Sequence, residues 1–375
     1  MNNRRRYFLE VVAVAWLFIV PAFAQSPQPA DGAQRFAALG EFKLQSGEII
    51  RDFRLGYRTQ GKLNADKSNA ILWPTWLGSK TEDLLAYCGP GRVLDTGKYF
   101  VVLVDSIGNG ITTSPSNSAA QPGVKFPQFT IRDMAEADRR LATETLGIPH
   151  LRAVMGVSMG GMQVFELAVA YPDFMDIAIA LSGSPQSTST DKILWSLEIE
   201  AMELDPAWNN GNPKEPLSRG VALAEQIDTM NVTSPAYRAA HTKPGDAEKF
   251  LAAINRKART EPGAVIDQIR QREAIIALDV PGEYGSSMEQ TAKRVHARTL
   301  VMVSPHDHMV NPGPAEEFAK DIGAAVITLD SNCGHLSFTC ISVGPIVAKF
   351  LENPGSVGSQ TLREGQSRAV HRKGR

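Results

Sequence analysis

The chain has 375 residues, 43% of them hydrophobic and 21% charged, with a formal net charge of −1. That length suits one large domain with an insertion, or two domains, and the composition is that of an ordinary globular protein with a sizeable core. The balanced charge supplies no basic field for a nucleic-acid partner, and no apolar run beyond residue 24 is long enough to span a bilayer.

The first element is not part of the fold. Arg4, Arg5 and Arg6 precede an apolar stretch at 11–20 and a small-x-small site, Ala22-Phe23-Ala24. This is the pattern of a cleaved export signal over residues 1–24. Arg5-Arg6-Tyr7-Phe8-Leu9 also resembles a twin-arginine signal. The mature chain is therefore expected in the periplasm or outside the cell, away from the membrane. Residues 25–35, rich in Pro, Gln and Ala, read as a disordered lead-in.

Short strand-like runs follow at 42–44 and 49–55, separated by Ser46-Gly47, and at 70–73. Continuous apolar runs at 100–104 and 151–155 read as strands buried on both faces, and further runs lie at 177–181, 299–303 and 325–329. Helical patterns alternate with them at 130–146, 159–171, 314–321 and 345–351. The first opens with Thr130 and has Asp133 three positions on, a capping arrangement. This alternation predicts an α/β fold, a mostly parallel sheet flanked by helices, with its core in two parts, 36–185 and 297–353. Residues 186–296 are helical in pattern without comparable strands, and are expected to form an inserted cap over the C-terminal edge of the sheet, where open α/β sheets bind ligands. Residues 354–375 read as a disordered tail.

Three cysteines follow the signal: Cys88, Cys333 and Cys340. An oxidising compartment allows one disulfide and one leftover thiol, with the pairing open. Cys333, two residues before a histidine, is expected to pack rather than to take part in catalysis.

The chemistry concentrates at Gly156-Val157-Ser158-Met159-Gly160, followed by Gly161. Lying between a buried strand and a helix, this G-x-S-x-G has the context of a nucleophile elbow, with Ser158 lifted to the sheet edge and the Met159 N–H placed to hold an oxyanion. Such a serine needs a base and the base an acid, in the chain order Ser, acid, His. Asp307 follows the strand at 299–303 and His335 the one at 325–329, so all three converge on one sheet edge. Asp330, nearer to His335 in sequence, is expected to serve its turn. His306 and His308 flank Asp307 and are assigned to surface or supporting roles. The loop Pro74-Thr75-Trp76-Leu77-Gly78 should supply a second oxyanion donor, the Trp76 N–H. No cofactor or metal site is expected.

These residues resemble the homoserine O-acetyltransferase family within the α/β-hydrolase fold. The likeness is carried by Gly156 through Met162-Gln163 with Tyr171-Pro172-Asp173, by Phe126-Pro127 with Thr130-Ile131-Arg132-Asp133-Met134, by Gly108-Asn109-Gly110 with Ser114-Pro115-Ser116, and by Asp307 and Gly334-His335. It covers about 36–185 and 297–351; in the cap it extends only to helical character. It implies acylation of Ser158, with His335 as base and Asp307 as its partner, and dimerisation through the cap. Leu336 stands where the family commonly has an aspartate that holds the amino group of homoserine, and an apolar side chain cannot make that charge-assisted bond. The expectation is a serine acyl-transfer enzyme acting on a small acyl substrate: first an exported ester hydrolase, second an O-acyltransferase using an acyl-CoA donor, third a binding protein reusing the fold.

Overall fold

A computed structural model describes residues 31–365. The export signal expected at 1–24 lies outside them. Nine strands form one sheet: β1 (Arg35–Lys43), β2 (Ile49–Gln60), β3 (Ala70–Pro74), β4 (Phe100–Val104), β5 (Leu151–Val157), β6 (Met175–Leu181), β7 (Arg298–Val303), β8 (Ala325–Asp330) and β9 (Gln360–Arg363). Their order is β1-β2-β4-β3-β5-β6-β7-β8-β9. β2 runs antiparallel to both β1 and β4, and every other pair is parallel.

Strand period sorts the core into two layers. From β4, Phe100, Val102 and Val104 enter one layer, while Val101 and Leu103 enter the other. β6 divides likewise, Ala178 and Ala180 against Ile177, Ile179 and Leu181. Because both faces are covered, these strands read as unbroken apolar runs. A third, smaller core holds the cap together, with Met202, Leu217, Val221, Val265 and Ile269 among its members. The cap's main helices are Ser189–Glu203, Arg219–Asn231, Pro235–His241, Ala247–Lys257 and Pro262–Ala277.

The helix opened by Thr130 is capped as its sequence predicts. Thr130 accepts from the Asp133 N–H, and the Asp133 side chain answers by accepting from the Thr130 N–H. The α-helix runs over Ile131–Arg140 and finishes in a wider π-type turn, Leu141–Thr145, rather than continuing unchanged to 146.

Both expected disordered flanks need correction where they are described. Residues 31–35 lie along β2: Asp31 bridges Gln60, the Gly32 N–H donates to Thr59 O at 3.0 Å, and β1 starts at Arg35. The strand expected at 42–44 is thus the end of a longer one. Register shifts on either side of Gly40 break its alternation. Within the expected tail, β9 adds in parallel to β8, pairing Thr361 with Thr328 and Leu362 with Leu329. It is an edge strand whose residues are largely exposed, held by backbone bonds to β8 and by half-buried Leu362 packing on the core, so one apolar residue is all the hydrophobic signal its sequence carries.

Candidate active site

Ser158 sits at the junction of β5 and the helix Met159–Ala170, with φ 55° and ψ −124°. A non-glycine residue held there costs on the order of 1–3 kcal/mol. The surroundings enforce it: the Ser158 N–H donates to Leu181 O on β6 at 2.9 Å. The flanking glycines are required by contact. A Cβ on Gly156 would lie 2.1 Å from Gly160 O, and one on Gly160 would lie 2.6 Å from Pro74 O. The turn is thus too tight for any other residue at either position, and its second glycine lets the elbow press against the end of β3.

His335 Nε2 lies 2.8 Å from Ser158 Oγ, and its Nδ1 lies 2.7 Å from Asp307 Oδ2. All three side chains are buried. The other Asp307 oxygen accepts from the Met309 and Val310 N–H groups at 2.9 and 3.0 Å, which fixes the carboxylate plane. Burial pulls the His335 pKa down, but the charge of Asp307, the bond to it and the charge of Asp228 together leave it above the ordinary 6.5. Asp330 is turned elsewhere, toward Arg363 at 3.1 Å and His306 at 3.6 Å. That accounts for His306. Among the described residues, the His308 ring forms no hydrogen bond with the three side chains.

The loop carrying His335 is fastened from two sides. Cys333 and Cys340 form a disulfide that brackets the histidine, with Cα atoms 6.5 Å apart. This resolves the open pairing and leaves Cys88 as the buried free thiol, its pKa pushed up to about 12 by burial and hence unreactive. From the other side comes the cap. The His335 N–H donates to Val232 O at 3.0 Å, and the Ser234 N–H donates to Asn332 O at 3.1 Å.

Of the predicted oxyanion donors, Met159 follows the serine directly, and Trp76 lies in the loop after β3, whose Pro74 O closely approaches Gly160 of the elbow. Met159 opens its helix, and the first backbone bond closed there is Met162 N–H to Ser158 O, so the Met159 N–H is one of the helix's free donors. The Trp76 N–H likewise has no protein acceptor among the described residues. The β3 loop is held by the cap helix Pro262–Ala277: the Gly78 N–H donates to Gln271 Oε1 at 2.9 Å, and Gln271 Nε2 donates to Ile107 O at 2.9 Å. Above these loops a cleft of about 840 Å³ opens between Trp76, Tyr87, Asn109, Asp228, Asp267 and Gln271. Ser158 and His335 do not line it; Trp76 does, and so does Asp228, whose charge acts on His335.

Sequence reasoning gave Asp228, Gln271 and the cap segment at 232–234 no role. Asp228 and the segment belong to no motif. A fully buried glutamine within a helix is a signal only once burial is known.

A strained serine, a base in bonding range, a fixed acid and unpaired N–H groups at one sheet edge make up the apparatus of serine acyl transfer, and the protein is an enzyme of that class. Residues 84–339 match the family described as alpha/beta hydrolase fold, and the chain belongs to it. Two curated relatives place it within that family. An ethyl acetate hydrolase of Pseudomonas veronii is 32% identical over 281 residues, covering 72% of this chain and 79% of its own. A homoserine O-acetyltransferase of Geotalea daltonii is 30% identical over 357 residues, covering 84% and 96%. Among solved structures, that of the acetyl esterase MekB superposes with a TM-score of 0.78 at 29% identity, covering 86% of this chain and 97% of its own.

Proposed function

We propose that the protein is an exported hydrolase of acetyl or other short-chain esters working through an acyl-Ser158 intermediate. The observation that carries this reading is the pair of bonds from Asp307 through His335 to Ser158, at 2.7 and 2.8 Å. Ser158 Oγ attacks the ester carbonyl as His335 Nε2 takes its proton. The Met159 and Trp76 N–H groups bear the negative oxygen of the tetrahedral intermediate. His335 then returns the proton to the departing alkoxide. Water, deprotonated by the same imidazole, attacks the acyl-enzyme carbonyl, and as the Ser158 Oγ–acyl bond breaks His335 returns the proton to Ser158 Oγ and the acid leaves.

Two features favour water over an amino-alcohol acceptor and an acyl-CoA donor. Leu336, beside the base, offers no charge to an ammonium group. The cleft carries Asp83, Glu225, Asp228 and Asp267 against Lys80 and Arg272, and Arg272 is paired with Glu198 at 2.7 Å. Burial pushes the Asp267 carboxyl up to about 6 and raises those of Glu225 and Asp228, the Arg272 charge opposing the rise in these two. Such a cleft repels the phosphates of CoA. Export is supported by the leader at 1–24 and by the Cys333–Cys340 disulfide, a bond kept in oxidising compartments.

The second reading, O-acyl transfer, is favoured by the near full-length match to the homoserine O-acetyltransferase. One paired assay separates them. Purified protein should cleave ethyl acetate or p-nitrophenyl acetate and release no CoA from acetyl-CoA in a homoserine-dependent manner; homoserine-dependent CoA release without ester cleavage would reverse the assignment. Ser158→Ala should lower ester cleavage by about 10³-fold or more and abolish labelling by a fluorophosphonate probe.

A further inference from the structure

The Thr75–Trp76 peptide is held from behind by a buried polar cluster that the triad does not explain. Thr75 O accepts from Ser106 Oγ at 3.2 Å and from Gln163 Nε2 at 3.4 Å. Gln163 Nε2 also lies 3.1 Å from Ser106 Oγ and 3.3 Å from Met159 O. Thr75 Oγ1 lies 3.1 Å from Ser106 Oγ and accepts from the Ser106 N–H at 3.0 Å. Thr75 and Gln163 are fully buried and Ser106 nearly so. Three elements therefore meet here: the end of β3, the end of β4 and the helix that starts at the nucleophile.

The geometry of a trans peptide turns this packing into an instruction. The C=O and N–H of one peptide unit lie in one plane and point in opposite directions. Thr75 O and Trp76 N–H belong to the same unit. Donors that draw Thr75 O toward Ser106 and Gln163 must turn the Trp76 N–H away from them. We infer that Gln163 and Ser106 are positioning residues for the oxyanion hole: they aim the Trp76 N–H, and Gln163 ties that aim to the helix that carries the Met159 donor. This rests on the proposed hydrolytic role of Ser158 and on Trp76 as a donor. It also explains a fully buried glutamine at this point of the helix, where a leucine would pack without leaving polar groups to satisfy.

The test compares Gln163→Leu, Ser106→Ala and the double variant with wild type, on the full chain. Active sites are first counted by fluorophosphonate titration, which removes any misfolded fraction. Per titrated site, Gln163→Leu should lower kcat by about 10–100-fold with KM changed less than about 2-fold, because only the tetrahedral state uses the misaimed donor. A trifluoromethyl ketone, which forms a serine hemiketal with an oxyanion, should lose affinity in the same proportion. The double variant should lose no more than about 3-fold beyond Gln163→Leu, since both residues act through one peptide. An unchanged kcat per titrated site, or an unchanged ketone affinity, would overturn the assignment while leaving the hydrolase reading in place. Absence of labelling and turnover in wild type would instead overturn the hydrolase reading, and with it this one.

Discussion

His335 stands between two carboxylates with different work. Asp307 binds its Nδ1 and orients it, while Asp228 acts across space from the cap helix Arg219–Asn231. The raised imidazole pKa has a direct kinetic sign. The base must be neutral to accept the Ser158 proton, so activity is lost as pH falls through a pKa above 6.5. Replacing Asp228 with asparagine removes one of the charges that raise it, and the acid limb of the kcat/KM profile should move to lower pH with the alkaline plateau little changed. A limb that stays in place would refute the electrostatic role of Asp228. Asp307→Asn should act differently, costing about 10⁴-fold in kcat by favouring the wrong tautomer. The three residues that this profile reports on were legible in sequence because each ends a strand inside a recognisable turn. Asp228 was not, because its relation to His335 exists only after the cap folds over the sheet.

Among the elements, the segment from Cys333 to Cys340 does most with least. It has no regular structure beyond two short helical turns, yet it must hold the base to within tenths of an ångström. The disulfide closes a loop of about eight residues, for which chain entropy predicts roughly 2–3 kcal/mol of stabilisation. The double variant Cys333→Ala, Cys340→Ala should therefore show a lower urea midpoint and a lower kcat. A normal kcat with a lowered midpoint would mean that the bridge stabilises the fold without positioning the histidine. The elbow makes the opposite demand, for the least possible side chain. Gly160→Ala drives a methyl into Pro74 O at 2.6 Å, and the strain falls on the loop that bears Trp76, so activity should fall further than the melting temperature suggests. The elbow was readable because glycines at fixed spacing record steric need. The pairing of the cysteines was not, since spacing alone leaves three choices. β1 was seen only at its end, at 42–44, because the register shifts around Gly40 interrupt the alternation of Ala37, Leu39 and Phe42, and β9 escaped notice because a short edge strand takes its stability largely from a neighbour's backbone.

Across the whole molecule, the largest exposed apolar side chains concentrate on the cap. Ile193, Leu197 and Leu204 recur at helical spacing on or just beyond Ser189–Glu203, and Leu223 and Met230 do the same on Arg219–Asn231. Leu204 is 71% exposed and Ile193 61%. We propose that this face joins two copies of the chain, as the family resemblance implies. Replacing Ile193 and Leu197 with aspartate should convert a dimer into a monomer in light scattering, with the cap still folded. A wild-type protein that is monomeric throughout would refute the interface. The helical character of residues 186–296 was readable from the lack of strand patterns, but the individual helices were not, because their apolar residues are shared between the main core and the smaller one. The backbone bonds from residues 232–234 to the histidine loop give this cap a further significance. They do not depend on which side chains the cap carries, only on how many residues separate its helices. New substrates are thus open to this enzyme by exchange of residues on the cap's inner wall other than Asp228 and Gln271, while an insertion or deletion at that joint is expected to displace the base. Innovation in this enzyme is therefore expected to proceed by substitution, with the length of one short joint held constant.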